Sequence, residues 1–312
     1  MSASHSHANS PAEAGRHIAS DAGDRVKATP SRAADFVTLT KPRLNFLVLL
    51  TTAAAYSLGA GPDSTLMAFA HTLLGTFLVA GGASALNQVW ERETDKLMRR
   101  TRMRPMADMR MQPVTATTFG LVLTVIGAVE LSYFLNPLSA TVAVFTAVSY
   151  VLFYTPLKTR TSLSTIVGAL PGALPAVIGW AAATNTLSIE GWVLFGIVFM
   201  WQMPHFLAIA WIYRDDYRRA GFPMLPVVEP DGARTGRQAL LYALALVPVS
   251  LLPALVGVSG LAYFWCALVL GVTFLVLAAR FAALRSEGRA RTLFYGSLLY
   301  LPLIWAVMIL DH

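Results

Sequence analysis

Residues 66–86, LMAFAHTLLGTFLVAGGASAL, carry no Lys, Arg, Asp or Glu, whereas residues 87–110, NQVWERETDKLMRRTRMRPMADMR, carry seven basic side chains. An uncharged run of that length, rising ~1.5 Å per residue as an α-helix, crosses a ~30 Å hydrocarbon core. The stretch that follows is too charged to enter lipid. An apolar span closed by a basic loop is therefore the unit to look for elsewhere in the chain.

Working outward, comparable apolar stretches occupy 44–61, 66–86, 114–135, 138–154, 165–183, 189–211, 238–258, 261–279 and 292–310. Lys and Arg number six up to Arg43, then seven, two, five and four in the second, fourth, sixth and eighth connections, which accounts for all 24 in the chain. The odd-numbered connections have none. Short basic loops are retained on the cytoplasmic side, so an odd number of spans is required. The expected fold is all-α, a polytopic membrane protein of nine transmembrane helices with the N-terminus cytoplasmic and the C-terminus outside.

Composition agrees. With 55% hydrophobic and only 13% charged residues in 312, against ~25% charged in soluble domains, an ordinary soluble domain is excluded. The net charge of +7 is spread over loops that meet anionic lipid headgroups, so membrane lipid, and no nucleic acid, is the expected partner. Residues 1–35, poor in large apolar side chains, are expected to form a disordered cytoplasmic tail before an intramembrane domain at 36–312. His5, His7 and His17 there are weak metal candidates. No cleavable signal peptide is read, and Glu13, Asp21 and Asp24 argue against a mitochondrial transit sequence. The single cysteine, Cys266, reads as a small apolar packing residue.

Two cytoplasmic connections, 87–113 and 212–237, are long and polar, and loops of that kind are usually functional or disordered. In the first, no Gly or Pro stops the helix of the second span, so Asn87, Glu91 and Asp95 share one face, drifting only ~80° around the axis. Carboxylates so placed repel unless a cation bridges them. Mg²⁺ fits, because it takes one or two carboxylates and completes its shell with water and phosphate oxygens. Arg99, Arg100, Arg102 and Arg104 follow and can hold the remaining phosphate charge. A solvated, positive-inside loop laced with ion pairs would show the same composition. In the second loop, Tyr213-Arg214-Asp215-Asp216-Tyr217-Arg218, adjacent acids cannot share a helical face. One of Asp215 and Asp216 reaches a metal while the other pairs with Arg214 or Arg218, and spacing does not choose between them. Lys41, Arg43 and Lys158 flank the same side, where membrane anchoring alone would also place them.

Polar residues within spans are few and therefore informative. Pro204 in Trp201-Gln202-Met203-Pro204-His205-Phe206 should kink the sixth span, with His205 below the second acidic loop. There it could bind a carboxylate, ligate iron, relay a proton or simply bond a neighbouring helix. His71 and Glu130, toward the outer ends of their spans, read as structural partners. Gly168, Pro171, Gly172, Pro175 and Gly179 make the fifth span either broken or closely packed.

The combination of nine helices, Asn-x₃-acid-x₃-Asp after the second and an acidic loop after the sixth resembles the UbiA superfamily of intramembrane prenyltransferases. Within it, Lys41-Pro42-Arg43, Met98-Arg99-Arg100-Thr101, Tyr154-Thr155-Pro156-Leu157-Lys158, Gly168-Ala169-Leu170-Pro171-Gly172, Trp201 to Phe206 and Tyr213 to Tyr217 are similar to the protohaem IX farnesyltransferase family, from about residue 36 to the last span. The resemblance implies transfer of a farnesyl group from farnesyl diphosphate to a vinyl group of haem B, giving haem O and diphosphate. Haem is then a substrate and Mg²⁺ the cofactor. It implies Asn87, Glu91, Asp95, Asp215 and Asp216 as catalytic residues, with metal on Glu91, Asp95 and Asp216. Substrate contacts fall to Lys41, Arg43, Arg100, Arg104, Lys158, His205, Tyr213 and Tyr217. Glu91 stands where the superfamily more often has Asp. The second motif departs further, with Tyr213 and Tyr217 at a spacing usually given to acids.

On this reading the cationic side chains stabilise the departing diphosphate, and Tyr150, Tyr154 or Trp201 face an allylic cation. A prenyltransferase for an aromatic or quinone precursor is permitted by the metal motif alone, and the motif from Trp201 to Phe206 argues against it. A secondary transporter of an anionic lipid is the reading from another class, and it would not need acids spaced for a metal. The resemblance further implies the bacterial inner membrane, catalytic loops facing the cytoplasm, and association with a haem A-forming oxygenase.

Overall fold

The computed structural model describes residues 30–312, so His5, His7, His17 and nearly all of the expected tail lie outside the described residues. All regular secondary structure among the described residues is helical. The long helices are α1 (Pro42–Gly59), α2 (Leu66–Trp90), α3 (Pro113–Phe134), α4 (Pro137–Val148), α5 (Ser164–Thr184), α6 (Ile189–Ile212), α7 (Ala233–Leu255), α8 (Leu261–Leu284) and α9 (Glu287–Leu310). Eight of them, α2 to α9, are long and apolar enough to cross a membrane, α4 by continuing through a π-helical turn to Leu157. The remaining one, α1, has 18 residues and includes Arg43 and Asn45.

Helix ends follow local chemistry. Thr65 caps α2 by accepting from the Ala68 N–H, and Ser286 caps α9 by accepting from Arg289. Such caps satisfy amides that have no partner within the helix. Asn136 caps α4 through its Oδ1, while its Nδ2 donates to Ala181 O and Ala182 O of α5. One side chain thus ends one helix and binds the next.

Successive helices pack side by side from α1 to α9, α5 also lies on α1, α6 touches α9, and α9 returns to α1. The packing therefore closes on itself. α5 and α6 are mostly buried, whereas α3, α7 and α8 expose most of their length. The close packing read from the glycines of the fifth span is present, and α5 runs unbroken through Pro171 and Pro175. A Cβ on Gly179 would stand 2.2 Å from Thr52 O, so α1 backbone rests directly on α5. His71 and Glu130 partner each other at 2.6 Å between α2 and α3, with His71 stacked on Phe134.

Among the described residues, helix already lies within the segment expected to be a tail. Arg32–Leu39 is a helix capped by Ser31, and its buried Asp35 accepts from Arg110 Nε and Nη2 of the 87–113 loop. The pairing of Asp35 with a distant arginine explains why composition alone placed this segment in the tail.

Candidate active site

Asn87, Glu91 and Asp95 stand where α2 gives way to the first loop. In place of one continuous helix, α2 ends at Trp90, Glu91 takes φ −87° and ψ 4°, and a short helix covers Arg92–Asp95. Hydrogen bonds cross the joint, from Glu91 N–H to Asn87 O at 2.9 Å and from Asp95 N–H to Glu91 O at 2.8 Å. The i, i+4 relation therefore survives the bend. All three side chains are buried.

Glu91 and Asp95 line a cavity of about 410 Å³ walled by α1, α2, α4, α5 and α6, and Asn87 lies just behind them. Lys41, Arg100, Arg104 and Lys158 gather at the same polar end, while Val79, Ala83, Ala143 and Ile178 line the apolar depth. Each anionic or amide group has a cationic partner. Lys158 Nζ donates to Glu91 Oε1 at 2.7 Å, Arg104 Nη1 to Asp95 Oδ2 at 2.8 Å and Lys41 Nζ to Asn87 Oδ1 at 2.5 Å. Asp95 Oδ1 alone in this group is buried without a partner. A buried, unpaired carboxylate oxygen is costly unless a cation meets it. Two carboxylates and an amide oxygen are the oxygen donors that Mg²⁺ takes, so the residues present fit such an ion.

The local backbone positions these groups. Lys41 sits at φ 48° and ψ 58°, a left-handed conformation that non-glycine residues adopt at a cost and that recurs at functional sites. Asn45 steadies it, donating to Thr40 O at 2.6 Å. On the facing wall, α4 opens into a π-helical turn at Ser149–Tyr154, a feature frequent at functional sites. Tyr150 and Tyr154 thereby both reach the cavity, with ring centroids 5.4 Å apart. Thr155 bonds to Tyr150 O at 2.9 Å and accepts from Asn87 Nδ2 at 3.0 Å. One hydroxyl holds both the turn and the amide.

Burial, reinforced by Arg104, lowers the Lys41 ammonium to about 7. Burial by itself would raise Glu91, but Lys158 and Lys41 outweigh it and hold the carboxyl below its ordinary value. Burial likewise opposes the charge on Lys158, and Glu91 with Tyr154 and Tyr150 raises that ammonium well above normal. The pair is ionised on both sides.

Other expected residues fall elsewhere. Arg43 is exposed and outside the cavity wall. Asp215 pairs with Arg218 and Asp216 with Arg219, and both acids line a neighbouring pocket with Arg99, Arg100, Tyr213 and Arg219. Among the described residues no three His, Cys, Asp or Glu side chains lie close enough to hold one metal. Asp216 therefore does not join Glu91 and Asp95, because its short helix, Arg214–Arg219, supplies its own arginine one turn away. The tyrosines at the spacing otherwise given to acids flank Arg100, whose guanidinium carbon lies 4.8 Å from the Tyr213 ring centre and 4.6 Å from that of Tyr217.

His205 does not line the cavity. Its Nδ1 bonds Ser297 Oγ of α9 at 2.7 Å, and since that hydroxyl donates to Phe294 O, the imidazole is the donor. Trp201 Nε1 donates to Ser297 O at 2.8 Å, so this tryptophan also serves the α6–α9 contact and Phe206 faces the cavity instead. Thr155 was missed by sequence reasoning, although it lies inside the quoted Tyr154 to Lys158 motif. A hydroxyl that bonds a distant amide leaves no periodic signal.

The sequence pattern of the UbiA prenyltransferase family matches residues 48–304. Protoheme IX farnesyltransferase of Solibacter usitatus is 49% identical over 287 residues, covering 89% of this chain and 98% of that relative. The Myxococcus xanthus protein of the same name is 42% identical, covering 92% and 98%. Among solved structures, a digeranylgeranylglyceryl phosphate synthase superposes with a TM-score of 0.75 at 15% identity, covering 89% of this chain and 98% of its own. A UbiA homologue from Archaeoglobus fulgidus bound to GPP and Mg²⁺ gives 0.64 at 15% identity, covering 88% and 99%. These two establish likeness of fold. The bundle, the acid-bearing end of α2 and the sequence relationship over nearly the whole length lead to one assignment: the chain belongs to the UbiA prenyltransferase family.

Proposed function

We propose that this prenyltransferase moves a farnesyl group from farnesyl diphosphate to a vinyl group of haem B, giving haem O and diphosphate. The observation that carries the reading is a single cavity with four cations and two carboxylates at one end and an apolar interior beyond them. That is the shape of a lipid diphosphate. Lys41, Arg100, Arg104 and Lys158 bind the diphosphate, and the chain lies along Val79, Ala143 and Ile178. Glu91, Asp95 and Asn87 would hold Mg²⁺, which would neutralise charge on the departing oxygens. As the C1–O bond of the farnesyl diphosphate breaks, the cationic side chains take up charge on the leaving group. The faces of Tyr150, Tyr154 and Tyr217 stabilise the allylic cation by ~0.5–2 kcal/mol each. The apolar walls keep water from it. The terminal vinyl carbon forms the new bond, water supplies the hydroxyl on the adjacent carbon, and one proton is released.

The same reading includes nine spans, α1 crossing with the other eight helices, in the bacterial inner membrane. The site loops and every basic connection then face the cytoplasm and the C-terminus lies outside, as the charge distribution supports. A haem A-forming oxygenase is the partner that would take the product onward.

The test is mass analysis of haems extracted after incubating purified protein with haem B, farnesyl diphosphate and Mg²⁺, beside an EDTA control. A metal-dependent haem heavier by one farnesyl and one hydroxyl group is expected. Folded protein that binds both substrates yet yields no new haem would transfer the reading to aromatic or quinone acceptors.

A further inference from the structure

The polar end of the cavity is closed upon itself. Lys158 occupies Glu91 Oε1, Lys41 occupies Asn87 Oδ1, and Arg104 occupies Asp95 Oδ2, leaving Asp95 Oδ1 buried without a partner. The charged residues on the wall are four cations against two anions, an excess of positive charge. A bare divalent cation meets net repulsion there, and one oxygen of each of Glu91, Asp95 and Asn87 is already taken. A diphosphate without metal finds two of its lysines engaged with other acceptors.

We propose that Lys158 and Lys41 are resident donors, on the Glu91 carboxylate and the Asn87 amide, exchanged on binding, so that the site accepts metal and diphosphate together as one complex and neither tightly alone. When the complex arrives, Lys158 leaves Glu91 and Lys41 leaves Asn87, freeing those oxygens for the metal. Both ammonium groups turn to the phosphate oxygens. Every buried charge keeps a partner before and after, which is the condition for burying so many of them. The geometry favours exchange because the lysines come from opposite walls, one before α1 and one after the turn that ends α4, and meet the α2 residues from two sides. The inference rests on the assignment of Glu91, Asp95 and Asn87 as the metal-binding end.

Equilibrium dialysis of the purified protein with Mn²⁺, with inorganic diphosphate, and with both, tests it directly. The wild type should retain Mn²⁺ at least ~10-fold more tightly when diphosphate is present, in a 1:1 ratio with it. Lys158→Met should bind Mn²⁺ alone at least ~10-fold more tightly than the wild type and lose most of the gain from diphosphate. Lys41→Met should shift in the same direction. Equal Mn²⁺ affinity with and without diphosphate in the wild type, a reading that requires no variant, overturns the exchange. So does an unchanged affinity for Mn²⁺ alone in both lysine variants, each shown monodisperse by size exclusion. Glu91→Gln and Asp95→Asn separate the two levels. If they leave retention of the Mn²⁺–diphosphate pair intact, the metal-site reading itself fails and takes the exchange with it. If they abolish it while the wild type binds Mn²⁺ alone, only the exchange fails.

Discussion

Asp95 has one oxygen on Arg104 and the other buried without a partner, and this asymmetry ties the residue to chemistry more firmly than the motif spacing does. A structural acid would have both oxygens met. Asp95→Asn and Glu91→Gln keep the shapes but remove the charges, and farnesyl transfer should fall ~100-fold or more in each. The haem mass assay measures it, with size exclusion in detergent confirming the fold. His205 makes the opposite case. Its bond to Ser297 and its stacking on Trp201 at 5.0 Å place it in a helix contact, so His205→Ala should cost ~1 kcal/mol of stability, within the range for intramembrane hydrogen bonds. Turnover and the haem absorption spectrum should be nearly unchanged. A lost haem band in a folded His205→Ala protein would return this residue to the substrate.

Among the elements, α5 and the end of α4 set the cavity walls. On α5, Gly179 meets backbone that cannot step aside, and Gly179→Ala should lower stability by about 1–3 kcal/mol as overpacking does. Gly288, in the exposed first turn of α9 with nothing within 4 Å of a Cβ, provides the contrast. Gly288→Ala should stabilise by ~0.5–1 kcal/mol through the entropy of the unfolded chain. Thermal melting in one detergent compares the two. At the π-helical turn, Thr155→Val removes the hydroxyl that Asn87 and the Tyr150 carbonyl share. Loss of positioning at an acid-bearing helix end should reduce turnover by about 10-fold, and Thr155→Ser should restore most of it. An equal loss in the serine variant would show that the methyl group, not the hydroxyl, matters.

For the whole molecule, the proposed topology rests on the distribution of Lys and Arg. With Cys266 changed to serine, single cysteines at Leu97 and Val228, both exposed on the basic side, should react with an impermeant maleimide only in inside-out vesicles. Cysteines at Asp63 and Leu187, also exposed, should react only in right-side-out ones. Labelling of all four from one side would overturn the nine-span reading. The apolar depth of the cavity lies inside the helical bundle, which suits substrates with long apolar parts.

What the sequence determined by itself was whatever leaves a one-dimensional trace: apolar runs long enough to span lipid, basic residues on alternate connections, and acids at helical spacing. Those signals are strong because a bilayer penalises exposed charge and unpaired backbone so heavily. The helical spacing of Glu91 and Asp95 was legible, and the fold brings them to one cavity wall with Lys41, Arg100, Arg104 and Lys158. Which partner each charge takes was settled by helix packing. It paired Asp216 with Arg219 and left it off the cavity wall, bound His205 to α9, left Arg43 exposed, and hinged α2 at Glu91 where no glycine or proline announces it. Such choices depend on distances between helices far apart in the chain. Positive-inside anchoring and substrate binding recruit the same arginines and lysines, so only packing tells the two uses apart.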